Sequence, residues 1–313
     1  MELGELYTAL RTRMMGIAYH MLGTISEAED VVQDVFATLQ GMDTCHIEHE
    51  QAYVIQMLVN RCRNHLGAAA RKREVYIGPW LPEPLVERHC AATSYDRDPL
   101  HVMERGESVS YAMMVLFERL SPIERTVFVL REVFSYDYSE IASMIDKSVA
   151  NCRKIFSRAT KHLQFRVGHN VVTDARHLVV AEKFMHGIST GDFGDFIQSL
   201  GEEVQMISDG GGKTKAAIYP VYGLSRVVRL LQGLYRKGTF KGQHLLVKVN
   251  GQPGVLLFSK HEVYGIISFD YGAEHVTRIY IVINPEKLSR LRNTYCIDCC
   301  PFKASRQSLI FKH

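Results

Sequence analysis

Three helix starts follow one another between Ser121 and Ser148, and they constrain this chain more than any other feature. Ser121-Pro122-Ile123-Glu124 sets a hydroxyl at a helix cap and a proline at the first helical position, where no N–H is needed. Its carboxylate, three residues on, can reach back to the cap. Asp137 and Glu140 repeat the device for a short helix to about Met144, and Ser148 opens a third helix that runs to Leu163. On this last helix Cys152, Phe156, Ala159 and Leu163 recur as an inward stripe, which leaves Asn151, Lys154, Ser157 and Arg158 outward. From Lys147 to Thr173 there is no acid, but there are Lys147, Arg153, Lys154, Arg158, Lys161 and Arg166. Short capped helices followed by a basic one are the sequence form of a helix-turn-helix that reads duplex DNA. In that arrangement Ser148 and Asn151 stand at the DNA-facing start of the helix. Asn151 suits adenine and Lys154 or Arg158 suits guanine. Arg153, Lys161 and Arg166 suit phosphates, which orient without specifying.

A second acid-free stretch, Gln51 to Arg73, carries Arg61, Arg63, Arg71, Lys72 and Arg73 with Asn60 beside them. Two separated basic segments can neutralise phosphates and release counterions; two solvated helix faces are the plainer alternative. Net charge is only +3, so the distribution of charge is more informative than its sum. Upstream, Ser26-Glu27-Ala28-Glu29 reads as a capping box. Behind it Ala28, Val32, Val35, Phe36 and Leu39 form an apolar stripe, and Glu27, Asp30, Gln33 and Asp34 lie on the other side. Taken alone, that acidic side is a solvated face.

Length allows two or three domains, and the texture of the chain marks them. Pro79, Pro82, Pro84 and Pro99 break any helix between the two basic units. The only tryptophan, Trp80, sits among these prolines, and a docked Trp is expected in preference to an exposed one. After Gly168 the pattern predicts helices over Ala175–Ile188, Phe193–Leu200 and Tyr222–Tyr235. Strands are expected over Val204–Ile207, His244–Val249, Gly254–Phe258, Val263–Phe269 and Val276–Ile283, with Asn250-Gly251 as a turn. Helices first and a strand meander after imply an α+β domain with helices on one face of a curved sheet. No element is expected in the tail. Asp209-Gly210-Gly211-Gly212-Lys213 lacks the spacing of a phosphate-binding loop and reads as a turn that lets backbone approach closely. No apolar run is long enough to cross a membrane and no secretory signal is evident, so a cytoplasmic protein with reduced thiols is expected. Cys296, Cys299 and Cys300 make half a zinc site at most, so no metal and no cofactor is called for.

These residues resemble a known family. Ala28-Glu29-Asp30-Val31-Val32-Gln33-Asp34-Val35-Phe36 is similar to the region 2 helix of extracytoplasmic-function sigma factors. Leu120-Ser121-Pro122-Ile123-Glu124-Arg125 and Tyr138-Ser139-Glu140-Ile141-Ala142 resemble their region 4. Trp80-Leu81-Pro82-Glu83-Pro84, the Asp209–Lys213 turn and Asn284-Pro285-Glu286-Lys287-Leu288 narrow the likeness to the subgroup with a fused C-terminal SnoaL-like domain of NTF2-like fold. The resemblance implies two all-α sigma domains plus a C-terminal α+β curved-sheet domain. The boundaries are region 2 at 1–75, a linker at 76–106, region 4 at 107–168, the SnoaL-like domain at 172–290 and a tail at 291–313. It implies a non-enzymatic transcription initiation factor with core RNA polymerase (the clamp of its largest subunit and its flap) and promoter DNA as partners. Asp30, Gln33 and Asp34 would meet polymerase. Region 2 would open the −10 element and region 4 would hold the −35 element. Regulation would come in cis, through contact of the Trp80–Pro84, Asp209–Lys213 and Asn284–Leu288 motifs, without a separate anti-sigma protein. The family pattern Asn-x-x-x-Asp-x-x-Arg stands here as Asn60, Asn64 and Gly67, so no arginine is supplied for strand opening at that position, and Glu286 replaces the usual Asp.

Two alternatives stay open for the C-terminal domain. It could be a small-molecule sensor with a dry apolar pocket. It could also be a cyclase or isomerase using His244, His261, His275, Asp209 or Asp270 as acid–base groups. A filled core would remove both.

Overall fold

The computed structural model describes residues 3–42, 49–73, 75–87, 109–163 and 175–295. They fall into two units. The first comprises Met1–Val75, Ser94–Val109 and Met113–Asn170; the second comprises Tyr76–Thr93, Ser110–Ala112 and Val171–His313.

In the first unit, α1 (Leu3–Leu22) is stopped by Gly23, whose φ of 84° only glycine adopts freely. Thr24 is then extended and caps α2 (Ile25–Gln40), accepting from the Glu27 N–H while its hydroxyl bonds the Glu27 carboxylate at 2.9 Å. The cap therefore lies two residues before the expected Ser26, because the left-handed Gly23 fixes where α1 ends. Ile25, Ala28, Val31, Val32, Val35, Phe36 and Leu39 are buried. α3 (Glu50–Arg73) packs on α1 and α2 through Val54, Leu58, Val59, Cys62 and Leu66.

Helices α4 (Tyr111–Phe117) and α5 (Pro122–Phe128) follow, and α5 runs on into a π-helical turn at Val129–Val133. Then come α6 (Tyr138–Ile145) and α7 (Val149–Leu163). Both expected capping boxes form at Ser121/Glu124 and Asp137/Glu140. On α7 the buried stripe is Cys152, Ile155, Ala159 and Leu163. Phe156 is only half-buried and stacks on Phe128 with ring centroids 5.7 Å apart. α3 also packs against α5 and α6. There the buried Arg125 donates to the carbonyl of Met21 at 2.8 Å and pairs with Glu118 at 2.8 Å. His20 is buried nearby, with its ring edge-on to Phe134.

The second unit is built on a six-stranded sheet in the order β2-β1-β6-β5-β4-β3. The strands are β1 (Leu200–Asp209), β2 (Val221–Tyr222), β3 (Gln243–Val249), β4 (Gln252–Ser259), β5 (Glu262–Tyr271) and β6 (Val276–Val282). β1 and β6 pair in parallel, placing Ile207 opposite Tyr280, and every other pairing is antiparallel. Register shifts in three of the pairings bend the sheet. Helices α8 (Ala175–Thr190), α9 (Gly194–Ile197) and α10 (Leu224–Arg236) supply the apolar residues packed on it. Phe184 meets Phe196, Phe240 and Phe269 at centroid distances of 4.9, 6.3 and 5.4 Å.

Four expectations shift. Leu200 already pairs with Val276, so β1 begins where a helix end was expected. Tyr222 belongs to β2, and Gly223 at φ 87° turns the chain into α10. A short helix α11 (Ser289–Thr294) stands where no element was expected. The sheet is also covered on both faces, since six successive residues of β4, Pro253–Phe258, are buried. On the face away from the phenylalanines, Tyr280 carries the ring of Tyr111, 5.5 Å away.

Candidate nucleic-acid and linker-binding sites

Asp209 closes β1 with its carboxylate fully buried. One oxygen accepts from the Tyr76 hydroxyl at 2.6 Å and from the Gly211 N–H at 2.9 Å. The other accepts from the Leu81 N–H at 2.9 Å and from the Lys287 ammonium at 2.7 Å. Lys287 also donates to the Leu81 carbonyl and stands over the Trp80 ring, 4.1 Å from its centroid. Its charge is thus met by a carboxylate, a carbonyl and an aromatic face, which together make its burial tolerable. Asn284 donates to the Tyr76 hydroxyl at 2.9 Å and accepts from the Glu286 N–H at 3.0 Å. Burial, reinforced by the bond to Asp209, raises the Tyr76 phenol and keeps it a donor.

The glycine run is fixed by neighbours. Gly211 is left-handed, and a Cβ there would lie 2.5 Å from the Asn284 amide. At Gly212 a Cβ would press on Ile77 at 3.1 Å. Lys213 and Glu286 pair on the surface, where such a bridge contributes little. Pro82, Glu83 and Pro84 are buried, and so is Leu288.

The chain after Pro84 then lies along the free edge of β3. Val86 bridges Val249, Asn250 exchanges bonds with Leu85 through both its N–H and its side chain, and the Glu87 N–H donates to Lys248 at 3.1 Å. Adding a strand to an exposed edge satisfies backbone groups that would otherwise template aggregation. The Tyr111 hydroxyl donates to the Pro82 carbonyl at 2.8 Å. Tyr76, Asn250 and Tyr111 carried no motif signal; Asn250 was fully accounted for as a turn residue.

In the first unit, Asp30, Gln33 and Asp34 share the exposed side of α2. Asp34 faces Arg61 of α3 at 3.6 Å, and Arg61 also donates to Thr38. Arg61, a DNA-contact candidate from sequence, is thus half-buried and bonded to α2. Asn60 is exposed and accepts from Arg63 at 3.4 Å. Open space surrounds Gly67, so packing does not explain the missing arginine there. Arg71, Lys72 and Arg73 end α3, and their side chains lie outside the described residues, as do Arg166 and Cys296, Cys299 and Cys300.

On α7, Ser148 caps the helix by accepting from the Asn151 N–H at 3.2 Å. Asn151, Arg153, Lys154 and Lys161 are exposed. Arg158 instead gives its Nε to Glu124 at 2.5 Å, tying α7 to α5. Burial alone would raise the Glu124 carboxyl, but bonds from Ser121 and Arg158, with His162 nearby, hold it below its ordinary value. Arg158 thus serves the packing of α7 as well as its outer face.

The acid–base candidates of the second unit are dispersed. His244 is held by the Phe240 carbonyl and Ser189, Asp270 by Arg278, and Asp209 by the linker; His261 and His275 are exposed. Among the described residues no hydrogen bond or ion pair joins any two of them, and the core beside the sheet is made of aliphatic side chains with Phe184, Phe193, Phe196, Phe240 and Phe269. No group of three metal-ligating side chains occurs among the described residues, and no helix there is long and apolar enough to cross a membrane.

Residues 6–72 match the family described as Sigma-70 region 2, and residues 111–163 match Sigma-70, region 4. The ECF RNA polymerase sigma factor SigJ of Mycobacterium tuberculosis is 34% identical over 259 residues, 81% of this chain and 80% of that protein. The chain belongs to the extracytoplasmic-function sigma factors. Probable ECF RNA polymerase sigma factor SigI of the same organism is 29% identical over 289 residues, covering 91% and 94% of the two chains. The crystal structure of SigJ matches with a TM-score of 0.70 at 29% identity, covering 92% of this chain and 98% of that one. As a sigma factor the chain serves RNA polymerase in transcription initiation at promoter DNA, and its fold is that of helical sigma domains followed by a curved mixed-sheet domain.

Proposed function

We propose that this sigma factor, acting in the cytoplasm, is regulated in cis: its C-terminal domain holds the linker between its two DNA grips. Asp30, Gln33 and Asp34 meet polymerase. The middle of α3, around the exposed Asn60 and the half-buried Arg63, contacts the −10 element, and Ser148, Asn151, Arg153, Lys154 and Lys161 contact the −35 element. The observation that carries the regulatory part is Asp209, buried and bonded at once to Tyr76, Leu81 and Lys287. Two small grips bind a promoter firmly only when tethered at the right span. Tying residues 76–87 to β1 and β3 takes them out of that span, so a held linker shortens the tether and a released one restores it. No second protein is needed for this control.

The test is transcription by reconstituted holoenzyme, comparing the full chain with its Asp209→Leu/Lys287→Met variant. Templates carry both promoter elements, or either one scrambled. Wild-type output is expected to need both elements, and the variant should exceed it several-fold on the intact promoter. Equal output from all templates would remove the two-element assignment. Equal output from the two proteins would remove the regulatory one.

A further inference from the structure

Between Asp209 and Glu262 the chain has no acid, yet it carries nine lysines and arginines. Lys213 and Lys248 are paired, with Glu286 and Glu87. The rest concentrate on α10 and the turn behind it. Val227 and Leu231 of α10 are buried against the sheet, and Arg226, Arg229, Arg236 and Lys237 are exposed on its other side. At 100° per residue these four fall within about a third of the helix circumference, in a row some 15 Å long from Arg226 to Arg236. Lys241 is exposed just beyond. None of the five makes an ion pair among the described residues. The helix is seated on the sheet by its apolar face, which sets the backbone positions from which the row projects.

We propose that this row on α10 is a third promoter contact, a sequence-independent seat for the phosphates of duplex DNA. Charge complementarity selects the occupant. A straight row of basic side chains with no interspersed carboxylate repels a basic partner and matches a polyanion through charge-assisted, bidentate phosphate bonds. The chain already brings duplex DNA to itself through α7, so even a weak seat is filled at high effective concentration. The inference rests on the chain's role as a promoter-binding factor, which wild-type transcription tests separately.

The experiment titrates the full-length chain with a labelled duplex several helical turns long, over a range of salt, for wild type and for R226Q/R229Q/R236Q. Every phosphate that is no longer neutralised lowers the slope of log K against log salt by about 0.9, so the triple variant is expected to fall short of wild type by between two and three in slope. All three side chains are exposed, and an unchanged thermal melt reports that the variant is folded. In wild type, Lys237 and Lys241 are also expected to be shielded from acetylation by the duplex. An unchanged slope with unshielded lysines, in a protein that still transcribes, overturns the seat while leaving the sigma assignment intact. A reduced slope seen only with a single-stranded oligonucleotide overturns the duplex as its occupant.

Discussion

Lys287 shows how one side chain can hold a segment 200 residues away. Replacing it with Met leaves Asp209 buried without its cation, a loss of about 3–5 kcal/mol. Chemical denaturation of the second unit should show this as a lower midpoint. The Asp209→Leu/Lys287→Met pair should recover the part due to the lone charge, while the Tyr76 hydroxyl and the Leu81 N–H still lose their acceptor and the linker its hold. His20 sets a second residue-scale outcome. Burial outweighs its bond to the Gly16 carbonyl and lowers its pKa from 6.5 to about 4. Between those values the unfolded chain takes up a proton that the folded one refuses. Stability is therefore whole above pH 6.5 and declines as pH falls toward 4, by roughly 3 kcal/mol. A His20→Leu variant should lack that part of the acid sensitivity in denaturant midpoints taken across this range.

Among the elements, α7 and the β3 edge make separate claims. Lys154→Ala should lower transcription about tenfold or more from a promoter with an intact −35 element and relax the preference at one base pair, whereas Lys161→Ala should weaken all sequences alike. At the sheet edge, Asn250→Gly keeps the left-handed turn but removes the acceptor for Leu85, at a cost of about 1 kcal/mol. Faster hydrogen exchange at residues 85–87 would report it. The helix-turn-helix was legible because its signals are local: Ser121, Asp137 and Ser148 cap helices within four residues of themselves. The strands were legible from apolar runs, but not the parallel β1–β6 pairing, which no local pattern encodes. Trp80, Asp209 and Lys287 could be named from their motifs. Tyr76 and Asn250 could not, since their partners lie 133 and 165 residues away and neither residue type demands one. The Thr24 cap was missed because Gly23 was not weighed as the end of α1.

The division of the whole chain is not the division of its sequence. Residues 76–87 and 110–112 belong with the C-terminal sheet, although they lie between the two sigma regions. A chain ending near residue 170 therefore loses the support of its own linker. Limited proteolysis should cut that truncated protein between residues 76 and 87 and spare the same bonds in the full chain. Its transcription per molecule bound to core should also differ from that of the full chain, and identical output would count against control in cis.

The parallel pairing of β1 with β6, followed by Asn284 and Lys287, has a consequence in time. The seat for Tyr76 and Trp80 exists only once residues near the C-terminus have been made, long after both DNA grips have left the ribosome. At 5–20 residues per second, that interval is on the order of ten seconds. Under the control in cis proposed above, every newborn copy thus passes through a youth in which its promoter-gripping half is complete and the proposed brake has yet to be translated.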